Sequence, residues 1–470
     1  MEPRNLRFGG GLSDTQLHPL IAVLMLISVV LILALPRNKA VVPFVLAFFT
    51  IPFGQVLVLG GVHLTMLQIL ILTVIGRMAA FRGATSEKRF AGGFNGFDTL
   101  VVSWTLFSFI AFVLQFFQMP AVIKGLGDLL VSLGAYLAVR FLIPDRKTVL
   151  RAIKTLALVC VVQGVFMVSE QFTHRNVFST FGANQPTFRE GHVRSEGAIG
   201  TIYAGTMAGT SIPLFLWLWT ERKSRMAACA GLVGATAMVF ASYASTSWGA
   251  YGAGLLGLAF WPLRKRMRLV RWGIVAMLIG LHLVMHGPVW SLIEKIDVTG
   301  GSSSYHRYML VDNCIRHFSD WWLIGYKNYG SWGFDMWDLC NQFVANALTG
   351  GLLTLVLYLA IFKQSFRALG VARRRVEGNR RKEWLFWCLG STLFANVVAH
   401  FGINYMAHLS MYLFVLLVCI STAANEIIQN AYADNRKGEV PDPDLVPTLA
   451  ADVAAASVSG QSIGSRLLEL

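Results

Sequence analysis

The sequence contains little charge for its length. Only 14% of its 470 residues are charged, whereas 55% are hydrophobic, and an average soluble protein carries about 25% charged residues. A soluble fold of this size needs more charge at its surface, so the composition argues against a soluble enzyme and against a disordered chain. The sequence also lacks the alternating pattern of barrel strands, because its apolar residues lie in long continuous runs. We therefore predict an all-α, polytopic membrane protein.

Cysteines are few, and none of them shows the spacing of metal ligands. Cys314 and Cys340 share one hydrophilic segment, where a disulfide is one alternative in an oxidising compartment. The other four lie in apolar stretches, in which packing is the simplest role: Cys160, Cys229, Cys388 and Cys419. The sequence therefore offers no cysteine-based metal site and no secreted disulfide framework.

Thirteen apolar stretches approach the ~20 residues that a helix needs to cross a bilayer. They are residues 19–35, 41–59, 64–80, 97–117, 121–142, 155–170, 203–219, 227–243, 247–263, 272–286, 344–362, 384–400 and 405–424. The second is interrupted by Pro43 and Pro52, so a re-entrant segment is its alternative. We predict 12–13 transmembrane helices within residues 19–424, an N-terminal segment at 1–18, and a largely disordered cytoplasmic tail at 425–470.

The basic residues that give the net charge of +15 lie mainly in the connections between these stretches. Most of the Lys and Arg residues fall in connections that share the side of the C-terminal tail, among them residues 363–383 and 264–271. Cytoplasmic loops of membrane proteins collect such residues. We therefore predict that this side is cytoplasmic and that the basic balance reflects topology rather than nucleic-acid binding.

Two connections on the opposite side, residues 171–202 and 287–343, are long and carry Arg where the charge bias disfavours it. Arginine presents a planar fork of donors that suits a pyrophosphate at a membrane surface. Surface ion pairs with neighbouring carboxylates are the alternative role. The two loops contain four such residues: Arg189, Arg194, Arg307 and Arg316.

The second loop is expected to be ordered and to contain short helices. Its stretch Tyr308–Phe318 has an amphipathic period, with Asp312 and Arg316 spaced as an i,i+4 pair. The loop is also rich in tryptophan, which suits either an aromatic belt at the membrane surface or stacking against sugar rings. The candidates for glycan binding are Trp321, Trp322, Trp332 and Trp337.

The stretch GHVRSEGAIGTIYAGTMAG resembles the O-antigen ligase and polymerase superfamily, in which an outside Arg followed by a Gly-containing turn opens the next span. The C-terminal half is similar in order, and the resemblance covers roughly residues 180–425. It has a span pair around YASTSWGAYGAGLLGLAF, a long loop with an Arg in its first half (SSSYHRYMLVDNCIRHFSDWWLIGY), and the closing segment NQFVANALTGGLLTLVLYLAIF.

This resemblance implies a glycosyltransferase that acts on undecaprenyl-diphosphate-linked glycans at the periplasmic face of the bacterial inner membrane. It would be an O-antigen or exopolysaccharide polymerase, or an O-antigen ligase. Its partners would be the lipid-linked glycan, membrane lipid and other polysaccharide assembly proteins. Neither a metal nor a cofactor is expected, because the pyrophosphate is the leaving group. Arg194 and Arg307 match the family positions that neutralise it, and Arg189 and Arg316 are further candidates.

Two positions depart from the family pattern. Ligases of the family carry a His before the Asn that ends the long loop, where this chain has Cys340-Asn341. Many members have Ser-Arg-Gly where this chain has Ser247-Trp248-Gly249. Both departures favour a polymerase over a lipid A-core ligase. His306 and His317 are the candidate catalytic bases nearest in sequence to Arg307, with loop hydrogen bonding as the alternative role.

Two hypotheses from other classes remain open. Ionisable groups in or near predicted spans indicate a transporter of polysaccharide or of lipid-linked oligosaccharide. These groups are Lys124, Asp128, His282, His400 and His408. The second hypothesis is a non-catalytic component of polysaccharide assembly, which the missing family His favours.

Overall fold

The computed structural model describes residues 15–52, 54–59, 62–81, 89–90, 92–295 and 304–436. The fold is mostly helical, as predicted, with little sheet. By length and composition, seven helices within the described residues are apolar enough to cross a membrane. Three further apolar helices are shorter. Residues 1–14 of the predicted N-terminal segment and residues 437–470 of the predicted tail lie outside the described residues.

The first half of the described chain forms ten helices and two hairpins. In chain order they are α1 (Pro19–Ala34), α2 (Val41–Thr50), β1 (Val56–Leu59), β2 (Val62–Thr65), α3 (Met66–Ala80), α4 (Gly96–Phe116), α5 (Met119–Leu129), α6 (Ala135–Leu142), α7 (Arg146–Thr173), β3 (Thr187–Arg189), β4 (His192–Arg194), α8 (Thr201–Thr220), α9 (Arg225–Ser242) and α10 (Ser245–Ala259). A single π-helical stretch, Leu130–Gly134, joins α5 to α6.

The remaining described residues form seven helices. They are α11 (Met267–Val284), α12 (Leu292–Lys295), α13 (Ser304–Arg316), α14 (Phe318–Trp321), α15 (Gln342–Arg375), α16 (Arg380–Ala399) and α17 (Ala407–Arg436). Twelve of the thirteen predicted apolar stretches therefore fall mainly on helix. Helix α17 runs on to Arg436, so the first part of the segment predicted as a disordered tail is helical.

The second predicted stretch, residues 41–59, is not one helix, and a single span there is wrong. Helix α2 ends at Thr50, and Ile51 is extended (φ −80°, ψ 122°) because a residue before proline is disfavoured in the helical region. The chain then enters the antiparallel hairpin of β1 and β2, in which Val56 pairs with Thr65. Pro52, one of the two prolines that interrupt this stretch in the sequence, therefore ends helix α2.

Helix α8 lies at the centre of the bundle, packed against α7, α9, α10 and α16. Almost all of its residues are buried, and many of them are small. A Cβ added at Gly209 would lie 2.9 Å from the carbonyl oxygen of Ser247 on α10. Glycine is therefore required for this close approach, a mode of packing common between membrane helices.

The long loop is ordered where it is described, and the predicted helix at Tyr308–Phe318 is found as α13 followed by α14. The predicted pair is present, with Arg316 Nε 2.6 Å from Asp312 Oδ2. At the end of the loop, Asn341 caps α15 by accepting hydrogen bonds from the amides of Phe343 and Val344. The loop therefore leads directly into the longest helix.

Helix α15 is broken at Gly351, where φ is +73°. A Cβ added there would lie 2.5 Å from the carbonyl oxygen of Leu323 in the loop, so glycine is required. Backbone groups freed by the break bond to the loop instead. The amide of Leu352 donates to the carbonyl of Trp322, and the amide of Tyr326 donates to the carbonyl of Leu348, both at 2.8 Å.

Candidate functional site

A cavity of about 730 Å³ lies where the β3–β4 hairpin, the start of α8, the start of α10, helix α13 and the α16–α17 turn meet. Arg189, Arg194 and Arg307 all line it, and we call it the arginine cavity. Three of the four arginines proposed from the sequence are therefore brought together, although they come from two loops that are distant in the chain. Whether they bind pyrophosphate stays a prediction.

The hairpin places two of these arginines on one face. Thr187 pairs with Arg194, and Arg189 pairs with His192. Side chains two residues apart on a strand share a face, as do directly paired residues. Arg189, Thr187 and Arg194 therefore point the same way, towards the cavity that all three line.

The turn after Arg194 is held by buried side chains of α7. The carboxylate of Glu170 accepts hydrogen bonds from the amides of Glu196 (2.7 Å) and Gly197 (2.9 Å). Gln163 Oε1 accepts from the amide of Ala198 at 3.0 Å. Gly197 has a φ of +57°. Because buried polar side chains satisfy these amides, the turn presents Arg194 from a fixed backbone.

Arg194 is a partly desolvated cation. Burial lowers its pKa, the neighbouring Arg189 lowers it further, and Glu196 opposes both effects. The guanidinium stays protonated, because arginine is effectively always charged in proteins. Its Nε is buried, and no acceptor among the described residues lies within hydrogen-bond distance. This environment favours an additional anion beside Arg194.

Arg307 approaches the cavity from the long loop. Its Nη2 donates to Thr246 Oγ1 at 3.2 Å, and Thr246 Oγ1 donates to the carbonyl of Gly402 at 3.0 Å. Arg307 also lies beside Cys340, whose pKa burial raises to about 11 while Arg307 opposes the rise. The Cys340 thiol is therefore protonated near neutral pH and is a poor base.

Two carboxylates that were not predicted from the sequence as site residues also line the cavity. Glu196 is buried and accepts hydrogen bonds from Thr201, at 2.6 Å from Oγ1 and 3.1 Å from the amide. Asp338 is exposed and lies two residues before Cys340. The only signal for Asp338 in the sequence was its closeness to position 340, where ligases of the resembled family carry a His. Glu196 is two residues from Arg194 in the chain, whereas only the tertiary fold brings Asp338 into the same cavity as the arginines.

The fourth arginine and the two candidate histidines do not line the cavity. Arg316 pairs with Asp312 and has a side chain that is 69% exposed. His317 lies 3.2 Å from Asp320 and stacks on Trp332 at 4.6 Å between ring centroids. His306 is closer, because its Nε2 lies 2.9 Å from the carbonyl oxygen of Asp338. Each of the three has a local partner within the loop.

One of the four candidate tryptophans, Trp337, lines the cavity. Trp321 is buried in the loop and donates to the carbonyl of Cys314 at 2.6 Å. Trp332 stacks on Tyr326 at 5.5 Å between ring centroids as well as on His317. Trp322 lies at the junction with α15, outside the cavity lining. Trp321 and Trp332 therefore pack within the loop, whereas the Trp322 side chain is exposed.

The residues that suggested a transporter do not converge on the arginine cavity. Lys124 and Asp128 form an exposed pair at 2.5 Å on α5. His282 stacks on Trp290, and His400 is buried with its Nε2 2.6 Å from the Tyr358 hydroxyl. His408 is buried beside Phe48.

Among the described residues, the cysteines and potential metal ligands show no cluster. Cys314 and Cys340 are both free thiols, so the alternative of a disulfide between them is not found. Within the described ranges, no group of three or more His, Cys, Asp or Glu side chains is placed to hold a metal ion. The polar chemistry of the cavity comes from its arginines and carboxylates.

Comparison with known proteins adds no support to the family resemblance. No protein-family model and no curated protein matches the chain. The similarity to the O-antigen ligase and polymerase superfamily therefore rests on the residues quoted above, and the function is argued from the geometry of the cavity.

Proposed function

We propose that the chain is a multi-pass protein of the bacterial inner membrane with 12–13 transmembrane helices, and that it is a metal-independent glycosyltransferase. It would use undecaprenyl-diphosphate-linked glycan units at the periplasmic face, as a polymerase of O-antigen or exopolysaccharide or as an O-antigen ligase. The observation that carries this proposal is the convergence of Arg189, Arg194 and Arg307 with Glu196 and Asp338 in one cavity.

The arginines supply the group that a lipid diphosphate needs. A diphosphate that leaves a sugar gains negative charge at the bridging oxygen, and fixed cations in a partly dry site stabilise that charge. Arg194 is partly desolvated beside Arg189. A guanidinium group can bind two phosphate oxygens at once through two parallel hydrogen bonds. The three arginines outnumber the two carboxylates of the lining, so the cavity as a whole favours an anion.

The proposed reaction is a displacement at the anomeric carbon of the donor glycan. The hydroxyl oxygen of the acceptor sugar forms the new bond to this carbon. The bond from the carbon to the diphosphate oxygen breaks, and its electron pair leaves with the lipid diphosphate. The hydroxyl proton passes to a carboxylate of the cavity. No metal is required for this transfer.

Asp338 is the carboxylate that we propose as the base. Its side chain is exposed to the cavity, whereas Glu196 already accepts two hydrogen bonds from Thr201. Cys340 is protonated near neutral pH because burial raises its pKa to about 11. A general base must reach the proton that it removes, and neither His306 nor His317 lines the cavity.

A polymerase is favoured over a ligase by the residue at position 340. The ligase pattern calls for a His there, and this chain has a cysteine. Trp337 lines the cavity and offers an aromatic face for a sugar ring at the acceptor side. We propose that the acceptor is a second lipid-linked glycan.

The test is polymer formation from lipid-linked repeat units in proteoliposomes that contain the full chain and EDTA. We expect polymer from the unmodified protein and a loss of at least about a hundredfold in Asp338→Asn, because general bases contribute roughly 10²–10⁴ to rates. Asp335→Asn, three residues earlier in the same loop, is the matched control and should stay active.

Three outcomes would contradict parts of the proposal. Full activity of Asp338→Asn removes this residue as the base. Abolition of transfer by EDTA rejects a metal-free reaction. Movement of lipid-linked glycan across the vesicle without any glycan transfer would support the transporter hypothesis instead.

A further inference from the structure

A second cavity, of about 500 Å³, runs between α1 and α2 and is lined mainly by apolar side chains. The α1 residues that line it recur every three or four positions, so they form one face of the helix. The lining residues of the two helices are Leu24, Ser28, Leu31 and Leu35 on the α1 side, with Val42, Pro43, Leu46, Ala47, Thr50 and Ile51 on the α2 side. We call this cavity the α1–α2 groove.

One end of the groove is cationic. Lys39, in the short connection between α1 and α2, and Arg151, near the start of α7, both line it. Lys39 is exposed, and Arg151 Nη1 donates to the carbonyl oxygen of Asn38 at 2.8 Å. No acidic residue is among the described residues that line the groove. The rest of the lining is apolar or carries a hydroxyl.

The length of the groove matches one leaflet of a bilayer. Helix α2 has ten residues, which rise by about 15 Å at 1.5 Å per residue. The hydrocarbon core of a bilayer is about 30 Å thick, so each leaflet contributes roughly half of that length. A groove with a cationic rim at one end and apolar walls over a single leaflet has the shape and the charge of an anionic lipid.

We propose that the α1–α2 groove binds an anionic phospholipid, with one acyl chain along the apolar walls and the phosphate headgroup at Lys39 and Arg151. Basic pockets between membrane helices on the cytoplasmic side are typical sites for such headgroups. The charge bias of the sequence assigns the Lys39 connection to that side. The site goes beyond the proposed transfer reaction and rests only on the insertion of these helices into a bilayer.

Neutral phospholipids and free phosphate fit the groove less well. A zwitterionic headgroup carries no net charge to pair with the two cations, and inorganic phosphate has no use for the apolar walls. The occupant that uses both features is a lipid with a net negative headgroup. Phosphatidylglycerol is the simplest probe of that class, and phosphatidylcholine is its neutral counterpart.

The experiment measures lipid retention on the purified full chain by native mass spectrometry, with phosphatidylglycerol and phosphatidylcholine titrated separately. We expect phosphatidylglycerol to bind more tightly, and we expect Lys39→Gln to weaken it about fivefold, the effect of one basic residue near an anionic headgroup. Lys223→Gln is the matched control, because Lys223 is exposed in another basic connection and should leave binding unchanged.

A second variant tests the apolar walls without changing charge. Ser28 lines the groove and bonds only to its own helix, through the carbonyl of Leu24, so Ser28→Phe should fill the groove and reduce phosphatidylglycerol binding. Millimolar inorganic phosphate should not compete. Equal binding of both lipids, unchanged binding in both variants, or full competition by phosphate would each overturn the proposal. Polymer formation is not a readout here, so these outcomes are independent of the proposed transfer.

Discussion

Arg307 and Thr246 join the long loop to the helix bundle. Arg307 Nη2 donates to Thr246 Oγ1 at 3.2 Å, and the same hydroxyl donates to the carbonyl oxygen of Gly402 at 3.0 Å. One hydroxyl therefore links α13, the start of α10 and the α16–α17 turn, all of which border the arginine cavity. The direction in which Arg307 points depends on an oxygen that is 61 residues away in the chain.

The first prediction concerns this hydroxyl as a positioning group. Thr246→Val keeps the shape of the side chain but removes the oxygen. We expect kcat/KM for glycan transfer to fall about ten- to a hundredfold, since a hydrogen bond to a charged group contributes about 1.5–3 kcal/mol. Thr246→Ser keeps the oxygen and should restore most of the activity. A packing defect alone would not be rescued by serine, so equal losses in both variants would contradict the prediction.

The second prediction concerns the cavity arginines. Removing either Arg194 or Arg307 loses a charge-assisted contact worth roughly 1.5–3 kcal/mol, so we expect Arg194→Ala and Arg307→Ala each to lower the transfer rate about ten- to a hundredfold. Lysine keeps the charge without the planar fork and should rescue only part of the activity. The assay is polymer formation in proteoliposomes at matched protein levels.

Helix α13 supplies the control for these variants. Arg316 lies on the same helix as Arg307, but it is exposed and pairs with Asp312, so Arg316→Ala should change the rate little. The losses of Arg194→Ala and Arg307→Ala should be less than additive, because both residues would serve one leaving group. Full activity of the double variant would remove both arginines from the mechanism.

A third prediction follows from the Cys340 thiol. Its pKa is raised to about 11, so at pH 8 only about one thiol in a thousand is the reactive thiolate. In a variant that keeps Cys340 as its single cysteine, alkylation by iodoacetamide should therefore accelerate about tenfold per pH unit between pH 7 and pH 10. Arg307 lowers this pKa, so Arg307→Gln should slow the alkylation further. A rate that levels off near pH 9, as for an ordinary thiol, would contradict the described burial.

The fourth prediction concerns a buried ion pair between α4 and α6. Arg140 Nε lies 3.1 Å from Asp98 Oδ1, and the two side chains are 0% and 1% exposed. The Tyr136 hydroxyl also donates to Asp98 at 2.7 Å. Arg140→Met leaves a buried carboxylate without its cation, and we expect the free energy of unfolding to fall by about 3–5 kcal/mol.

Denaturant unfolding of the purified protein measures this loss. Lys124→Met is the control, because the Lys124–Asp128 pair is exposed and such pairs contribute less than about 1 kcal/mol. Adding Asp98→Asn to Arg140→Met removes the stranded charge and should restore part of the stability. Similar losses from the buried and the exposed pair would contradict the prediction.

The fifth prediction concerns topology. After its break at Gly351, helix α15 runs on to Arg375, over 24 residues that rise by roughly 36 Å at 1.5 Å per residue. This part separates the exposed Ser319 of the loop from the exposed Arg374 of the basic connection. An impermeant maleimide added to intact cells should label Ser319→Cys, and Arg374→Cys only after permeabilisation. Labelling of both sites in intact cells, or of neither until permeabilisation, would show that they share a side.

The sequence predicted helices well because their signals are local. The amphipathic period of Tyr308–Phe318 and the spacing of Asp312 and Arg316 follow from the geometry of a single helix, and both are found. Pro52 marked the interruption of the second stretch, but sequence alone left a broken span and a re-entrant segment as alternatives. The β1–β2 hairpin that follows the break was not predicted.

The cavity was only partly predictable. Arg189, Arg194 and Arg307 stood out because their charges oppose the expected side of the membrane. His306 was chosen for its closeness to Arg307 in sequence, yet neighbouring residues on a helix point about 100° apart. Glu196 lies two residues after Arg194, but no charge bias marked it as a site residue. Asp338 had only its closeness to position 340 as a signal, and its place in the cavity follows from how distant segments pack.

The break at Gly351 determines how the loop can move. The amide of Leu352 and the carbonyl of Leu348 bond to loop residues rather than within α15, and Gln115 Nε2 on α4 donates to the carbonyls of both Leu348 and Ile324. Lifting the loop would leave these groups unsatisfied at the bundle, at a cost of about 1–3 kcal/mol each. The loop and the start of α15 are therefore one cooperative unit, and we expect any widening of the arginine cavity to leave this junction intact.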